Sequence, residues 1–206
     1  MATPEKDLEV RQGKTLTHVL RWGSPRFGYK PITGITQSAP CLITAVGHGI
    51  PDGWRVAVVS VKGMTQLNAK KAPPDSDEYH SATVADADHI EQNKVNASEF
   101  SPYVSGGFLQ YQIPVDLTGF TARMKIKNKV GGAILASTEA GDTPLNTISV
   151  VIDPVAFTIT VTISATATAA VVGKKGVYDI ELVSAGGVVT ELLKGRIIVV
   201  KEVTTD

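Results

Sequence analysis

The chain has 206 residues, enough to bury a core without disulfides or metals. Its 20 basic and 20 acidic side chains cancel, which argues against a dedicated binder of nucleic acid or of an anionic membrane. Charged residues make up 19% and apolar ones 43%, the balance of an ordinary folded protein, and a single cysteine, Cys41, excludes an internal disulfide framework.

Met1 to Asp7 has no basic stretch running into an apolar one, so no secretory signal is expected. Apolar runs such as Ile148–Ile152 fall far short of the ~20 residues that cross a bilayer. The expectation is a chain made and assembled in a cytoplasm.

Val, Ile and Thr are abundant, glycine and proline punctuate short apolar runs, and no long stretch spaces apolar residues by three and four. The chain reads as all-β with many short strands. Leu8–Arg11 is a first strand, turned at Gly13. Thr15–Trp22 alternates as a strand with one buried face, and Gly23–Arg26 is a break. Short strands then surround Gly47-His48-Gly49-Ile50-Pro51-Asp52-Gly53, a tight loop on its turn formers. Trp54–Val61 is a strand. Lys62–Tyr79, with Pro73-Pro74 and Asp75-Ser76-Asp77-Glu78, is the most loop-like segment. His80–Ala85 is a strand, Ala87–Asn93 is too polar for core, and Phe108–Ile113 is a strand after the turn region Phe100–Gly107.

The last section is the most regular. Phe120, Ala122, Met124 and Ile126 share one face of a strand that ends before the turn Gly131-Gly132. Ile148–Ile152 and Phe157–Ile163 flank a hairpin connection, Asp153-Pro154-Val155-Ala156, with Phe157, Ile159, Val161 and Ile163 on one face. Ser164 caps one short helix over Ala165–Val172. Gly176–Val183 is a strand, and Val188–Lys201 holds one or two more beyond Ala185-Gly186-Gly187. Sheet with a single helical connector is the pattern of an immunoglobulin-like sandwich.

No catalytic or metal constellation emerges. Cys41 lies in an apolar strand, where burial explains it better than nucleophilic chemistry. His18, His48, His80 and His89 lack the close spacing of zinc ligands, and His48 between glycines reads as a turn residue. Asp75, Asp77 and Glu78, like Asp86 and Asp88, lack the glycine and glutamate of an EF-hand and read as solvated loops. Arg123, Lys125, Lys127 and Lys129 recur at period two without aromatic interleaving, so they read as a charged strand face and not as a nucleic-acid surface. The expectation is no enzyme, no cofactor, no metal, no nucleic acid and no membrane partner.

Two segments carry resemblances. Ile32-Thr33-Gly34-Ile35-Thr36, Gly47-His48-Gly49 through Asp52-Gly53, and Gly63-Met64-Thr65-Gln66-Leu67-Asn68 resemble a small β module of bacteriophage tail proteins, named after the first-catalytic-cysteine half-domain of ubiquitin-activating enzymes. The Lys70–Glu78 stretch is longer and more charged than that module's usual form. Cys41 matches no catalytic cysteine, so nothing catalytic is carried over. Gln12–Thr17 with Arg21-Trp22, Val115–Lys127, Thr162–Ala170 and Gly176–Leu182 are similar to immunoglobulin-like domains of phage baseplate and tail proteins.

The two resemblances imply an immunoglobulin-like β-sandwich formed by 1–30 plus 113–206, interrupted by an inserted small β-barrel-like domain at 31–112, with Lys30 and Gln112 close together. They imply a structural component of a phage virion (tail, tail tip or baseplate) that is homo-oligomeric in a ring and bound to other virion proteins. Trp22, Phe27 and Tyr29 are the candidate interface residues, or else core between the two units. The competing function is host-surface carbohydrate binding, for which Trp54 is the residue to test. Residues 31–112 carry 5 basic and 8 acidic side chains and the flanks 15 and 12, so neutrality is −3 against +3.

Overall fold

The computed structural model describes residues 3–142, 148–170 and 175–201. It is mostly strand with one short helix. In chain order the described elements are β1 (Leu8–Arg11), β2 (Leu16–Leu20), β3 (Gly23–Pro31), β4 (Gly34–Ile35), β5 (Cys41–Thr44), β6 (Arg55–Val59), β7 (His80–Val84), β8 (His89–Gln92), β9 (Phe108–Pro114), β10 (Thr121–Lys127), β11 (Ile134–Ser137), β12 (Ile148–Asp153), β13 (Thr158–Ile163), α1 (Ala165–Ala170), β14 (Lys175–Val183) and β15 (Val189–Val200). The chain divides into two compact units, 1–22 with 116–206, and 23–115.

The first unit has a five-stranded sheet in the order β1-β15-β14-β10-β11 and a three-stranded sheet β12-β13-β2. Alternation builds both. In β13 every second residue, Ile159, Val161 and Ile163, is buried, and in β10 Met124 and Ile126 are. Met124, Ile126, Val161 and Ile163 join Leu8, Val10, Tyr178, Ile180, Leu193 and Ile197 in one core shared by the two sheets. Ser164 caps α1 by accepting the Ala167 N–H at 3.1 Å. The expected helix residues Val171 and Val172 lie outside the described residues.

The second unit is a seven-stranded sheet in the order β3-β9-β6-β7-β8-β5-β4. Its two end strands are consecutive in the chain, joined by Ile32 and Thr33. Ile32 N–H donates to Gly107 O at 3.0 Å and Thr33 N–H to Thr44 O at 2.9 Å, so the sheet curls round on itself. Inside lie Ile43, Val56, Met64, Ile90 and Leu109. Trp54 is 4% exposed and donates its indole N–H to Gln112 O at 2.8 Å.

The glycine-rich loop and the Gly63–Asn68 segment serve this interior. His48 is buried; its Nδ1 accepts the Ile50 N–H at 3.0 Å, so Nε2 carries the proton and donates to Asp86 O at 2.9 Å. Asp88 accepts the Gly47 N–H at 2.7 Å, and Asp86 accepts from Asp88 N–H and His89. Gly63 has φ +88°, and a Cβ there would meet Pro102 O at 2.2 Å, so only glycine fits.

Four readings are corrected. Gly23–Arg26 is not a break but the start of β3, with Pro25 tolerated where the register slips between Gly23 and Phe27. Residues 23–30 consequently belong with 23–115. Ala87–Asn93 contains β8, whose Ile90 and Gln92 are buried while His89 and Glu91 alternate outward. Phe157 stands at φ 53° in the turn before β13, so it is not in that strand's face. The second strand is shorter than Thr15–Trp22 and ends at Leu20.

Candidate interaction surface

The antiparallel register of β3 and β9 sets Phe27 opposite Gln112, Tyr29 opposite Gln110 and Pro31 opposite Phe108. Residues directly opposite share a face, and on this face Gln110 is in turn opposite Ala57 of β6. Four rings gather there. Phe27 stacks on Tyr79 with centroids 6.4 Å apart, and Tyr29 meets Phe108 edge-on at 6.4 Å. Phe27 is 37% exposed, Tyr29 54% and Phe108 42%.

Beneath them Gln110 is buried and donates its amide to the Tyr79 hydroxyl at 3.0 Å. Burial pushes the Tyr79 phenol above its ordinary value, and the Gln110 bond opposes that rise. Arg55 fixes the backbone of the same strand turn, donating to Tyr79 O at 2.8 Å and to Ser76 O. On the opposite face Gly28 leaves room for Tyr111, whose ring would lie 2.7 Å from any Cβ at 28.

The structure therefore brings Phe27 and Tyr29 onto one strand and adds Tyr79, Phe108 and Gln110 to them. Trp22 lies in the other unit, half-buried, and packs edge-on against Phe120 at 6.0 Å. The sequence places Phe108 and Gln110 in a strand without assigning them a face; period-two spacing with Gln112 is the signal that gives it. Nothing local marked Tyr79, which arrives through the β6–β7 pairing.

Most of the remaining candidates are buried or have partners of their own. Cys41 is fully buried, and burial pushes its thiol up to about 11, away from the thiolate. His18 accepts from Lys6 at 3.2 Å, and His89 pairs with Asp86 at 2.8 Å. Among the described residues no group of three or more His, Cys, Asp or Glu side chains is placed to hold a metal ion. Glu78 accepts the backbone N–H groups of Lys70 and Asp75, so the acidic loop closes on itself. Arg123 pairs with Glu181 at 2.6 Å, and Lys125 with Glu139 at 2.5 Å and Asp142 at 3.0 Å. Among the described residues no helix is long and apolar enough to cross a membrane.

The sequence matches no family model and no curated protein. The fold and this surface define a physical class: a β-rich protein of two units that exposes an aromatic sheet face.

Proposed function

We propose that this chain is a structural component of a bacteriophage virion, in the tail, tail tip or baseplate, acting through protein–protein contacts and not through catalysis. The observation that carries the contact role is the exposed ring cluster of Phe27, Tyr29 and Phe108, held over a buried, hydrogen-bonded Gln110. Exposed apolar surface of this kind marks interaction sites. The virion setting rests on the resemblance of Gly47-His48-Gly49 and Gly63–Asn68 to the phage tail module. It is supported by two sheets sharing one core at 1–22 with 116–206, as an immunoglobulin-like sandwich interrupted by an insert requires. A ring of copies, each bound to neighbouring virion proteins, is the expected assembly.

The test is particle-level: mass spectrometry and electron cryo-microscopy of purified virions. The chain is expected in the particle at a fixed copy number, and its absence overturns the reading. A second reading, host-surface carbohydrate binding, draws on the same rings, because exposed aromatics stack on sugars. A glycan array signal lost on Tyr29→Ala with the fold retained would favour it.

A further inference from the structure

The ring cluster sits beside a backbone edge with no described strand paired to it. β3 ends its sheet. Ile32 N–H donates to Gly107 O, so the residues of β3 alternate from that bonded pair. Gly28 and Lys30 turn their backbone groups toward β9, whereas Phe27 and Tyr29 turn N–H and C=O outward. Phe27 and Tyr29, which turn both N–H and C=O outward, are the residues of this strand that carry the exposed rings. A strand laid along this edge would bond to Phe27 and Tyr29 and set alternate side chains on their rings.

Charge decides which strand. β3 reads Gly-Ser-Pro-Arg-Phe-Gly-Tyr-Lys-Pro, with two cations and no anion. Lys30 lies on the face opposite the rings, where its ammonium donates to Gly47 O at 2.9 Å, and Arg26 stands in the register slip just before Phe27. A second copy of β3 is a poor occupant. The antiparallel register that satisfies both outward residues pairs Phe27 with the copy's Tyr29, and brings Arg26 near the copy's Lys30 at both ends. Like charges directly opposite are destabilising.

We infer that the β3 edge binds an extended segment of a different protein, apolar at alternate positions and acidic at those between, by adding it to the sheet as an eighth strand. This names the partner chemistry of the surface proposed above and rests on that reading. Contacts between copies in a ring would use other surfaces.

The experiment uses the full chain and two capped synthetic peptides of the length of β3, nine residues. One alternates valine with glutamate, the other valine with lysine. The glutamate peptide is expected to bind at least about tenfold more tightly than the lysine peptide. It should slow amide exchange at Phe27 and Tyr29. Tyr29→Pro removes an outward donor and no ladder bond, so it should abolish binding with Trp54 fluorescence unchanged. If that variant unfolds, methylating the peptide amides that face the edge should abolish binding to the wild-type chain.

Equal affinity for the two peptides overturns the inference, as does binding that leaves Phe27 and Tyr29 exchange unaltered. A dimer dissolved by Tyr29→Pro would make a second copy the occupant, and a glycan protecting the same amides would make it a sugar; either result also overturns it. Absence of the chain from virions overturns the assembly reading alone, so the two failures are distinguishable.

Discussion

Asn68 holds both backbone groups of Val61: its Oδ1 accepts the Val61 N–H at 2.8 Å and its Nδ2 donates to Val61 O at 3.0 Å. The side chain takes the place of a neighbouring strand just past the end of β6, where Ser60 stands at φ 62°. Asn68→Ala leaves a partly buried donor and acceptor unpaired and should cost about 2 kcal/mol. Urea unfolding followed by Trp54 emission in a Trp22→Phe background checks this, since each unit contains one tryptophan.

Trp54 is a core residue, and its variants should read as stability changes. Trp54→Phe loses the bond to Gln112 O and should cost about 1 kcal/mol. Trp54→Ala should cost about 3–5 kcal/mol. Thermal unfolding measures both. Lost glycan binding in Trp54→Ala would therefore report damage to the fold, and Tyr29→Ala is the informative substitution.

Acid should destabilise the protein in two stages. Burial, with Lys6 beside it, lowers the His18 pKa below its ordinary 6.5. The unfolded chain then binds the proton more readily, so this contribution is complete above about pH 6.5 and is lost as pH falls through the folded value. The Asp88 N–H and His89 hold the Asp86 carboxyl down, and Ser137 and Lys125 do the same for Asp142. Those contributions are present above the ordinary carboxylate range and are lost as pH falls below it. In a Tm profile against pH, His18→Gln should flatten the first stage and leave the second.

Asp179 has the opposite sign. Burial, then Glu181 and Glu191 beside it, raise its pKa, so its contribution is present below the ordinary carboxylate range and is lost as pH rises through the folded value. Asp179→Asn should raise Tm slightly at pH 7 and leave it unchanged at pH 3. Calorimetry at the two pH values checks this.

The strands of the first unit were legible because a two-sheet core imposes strict alternation, as in Thr158–Ile163. The strands of the second unit were harder to read. Around a curled sheet, Val56, Ala57 and Val58 are buried in succession, and Gln92 takes an interior position opposite Cys41. Polar character alone then misplaces β8. Pro25 hid β3 because a register slip that excuses a proline leaves no local trace. The same error hid the candidate surface in part: Phe27 and Tyr29 stood out as aromatics, but their outward backbone groups follow only from pairing with a strand some eighty positions away. His48 and Asn68 stood in recognisable motifs, and the structure gives those motifs a mechanical content, since both side chains bond to backbone that no strand reaches.

The register that sets Gly23 opposite Pro114 has a kinetic consequence. The first unit draws strands from both sides of the second, and Arg196 N–H reaches Asp7 across 189 positions. Bringing such segments together as free chain would cost about 4 kcal/mol of closure entropy for a loop the size of 23–115. Once 23–115 has folded, its two ends already lie side by side, and that search is largely done. The inner unit is also synthesised whole before β10–β15 exist. A lesion that slows folding of 23–115 is therefore expected to delay the flanking unit more than the reverse.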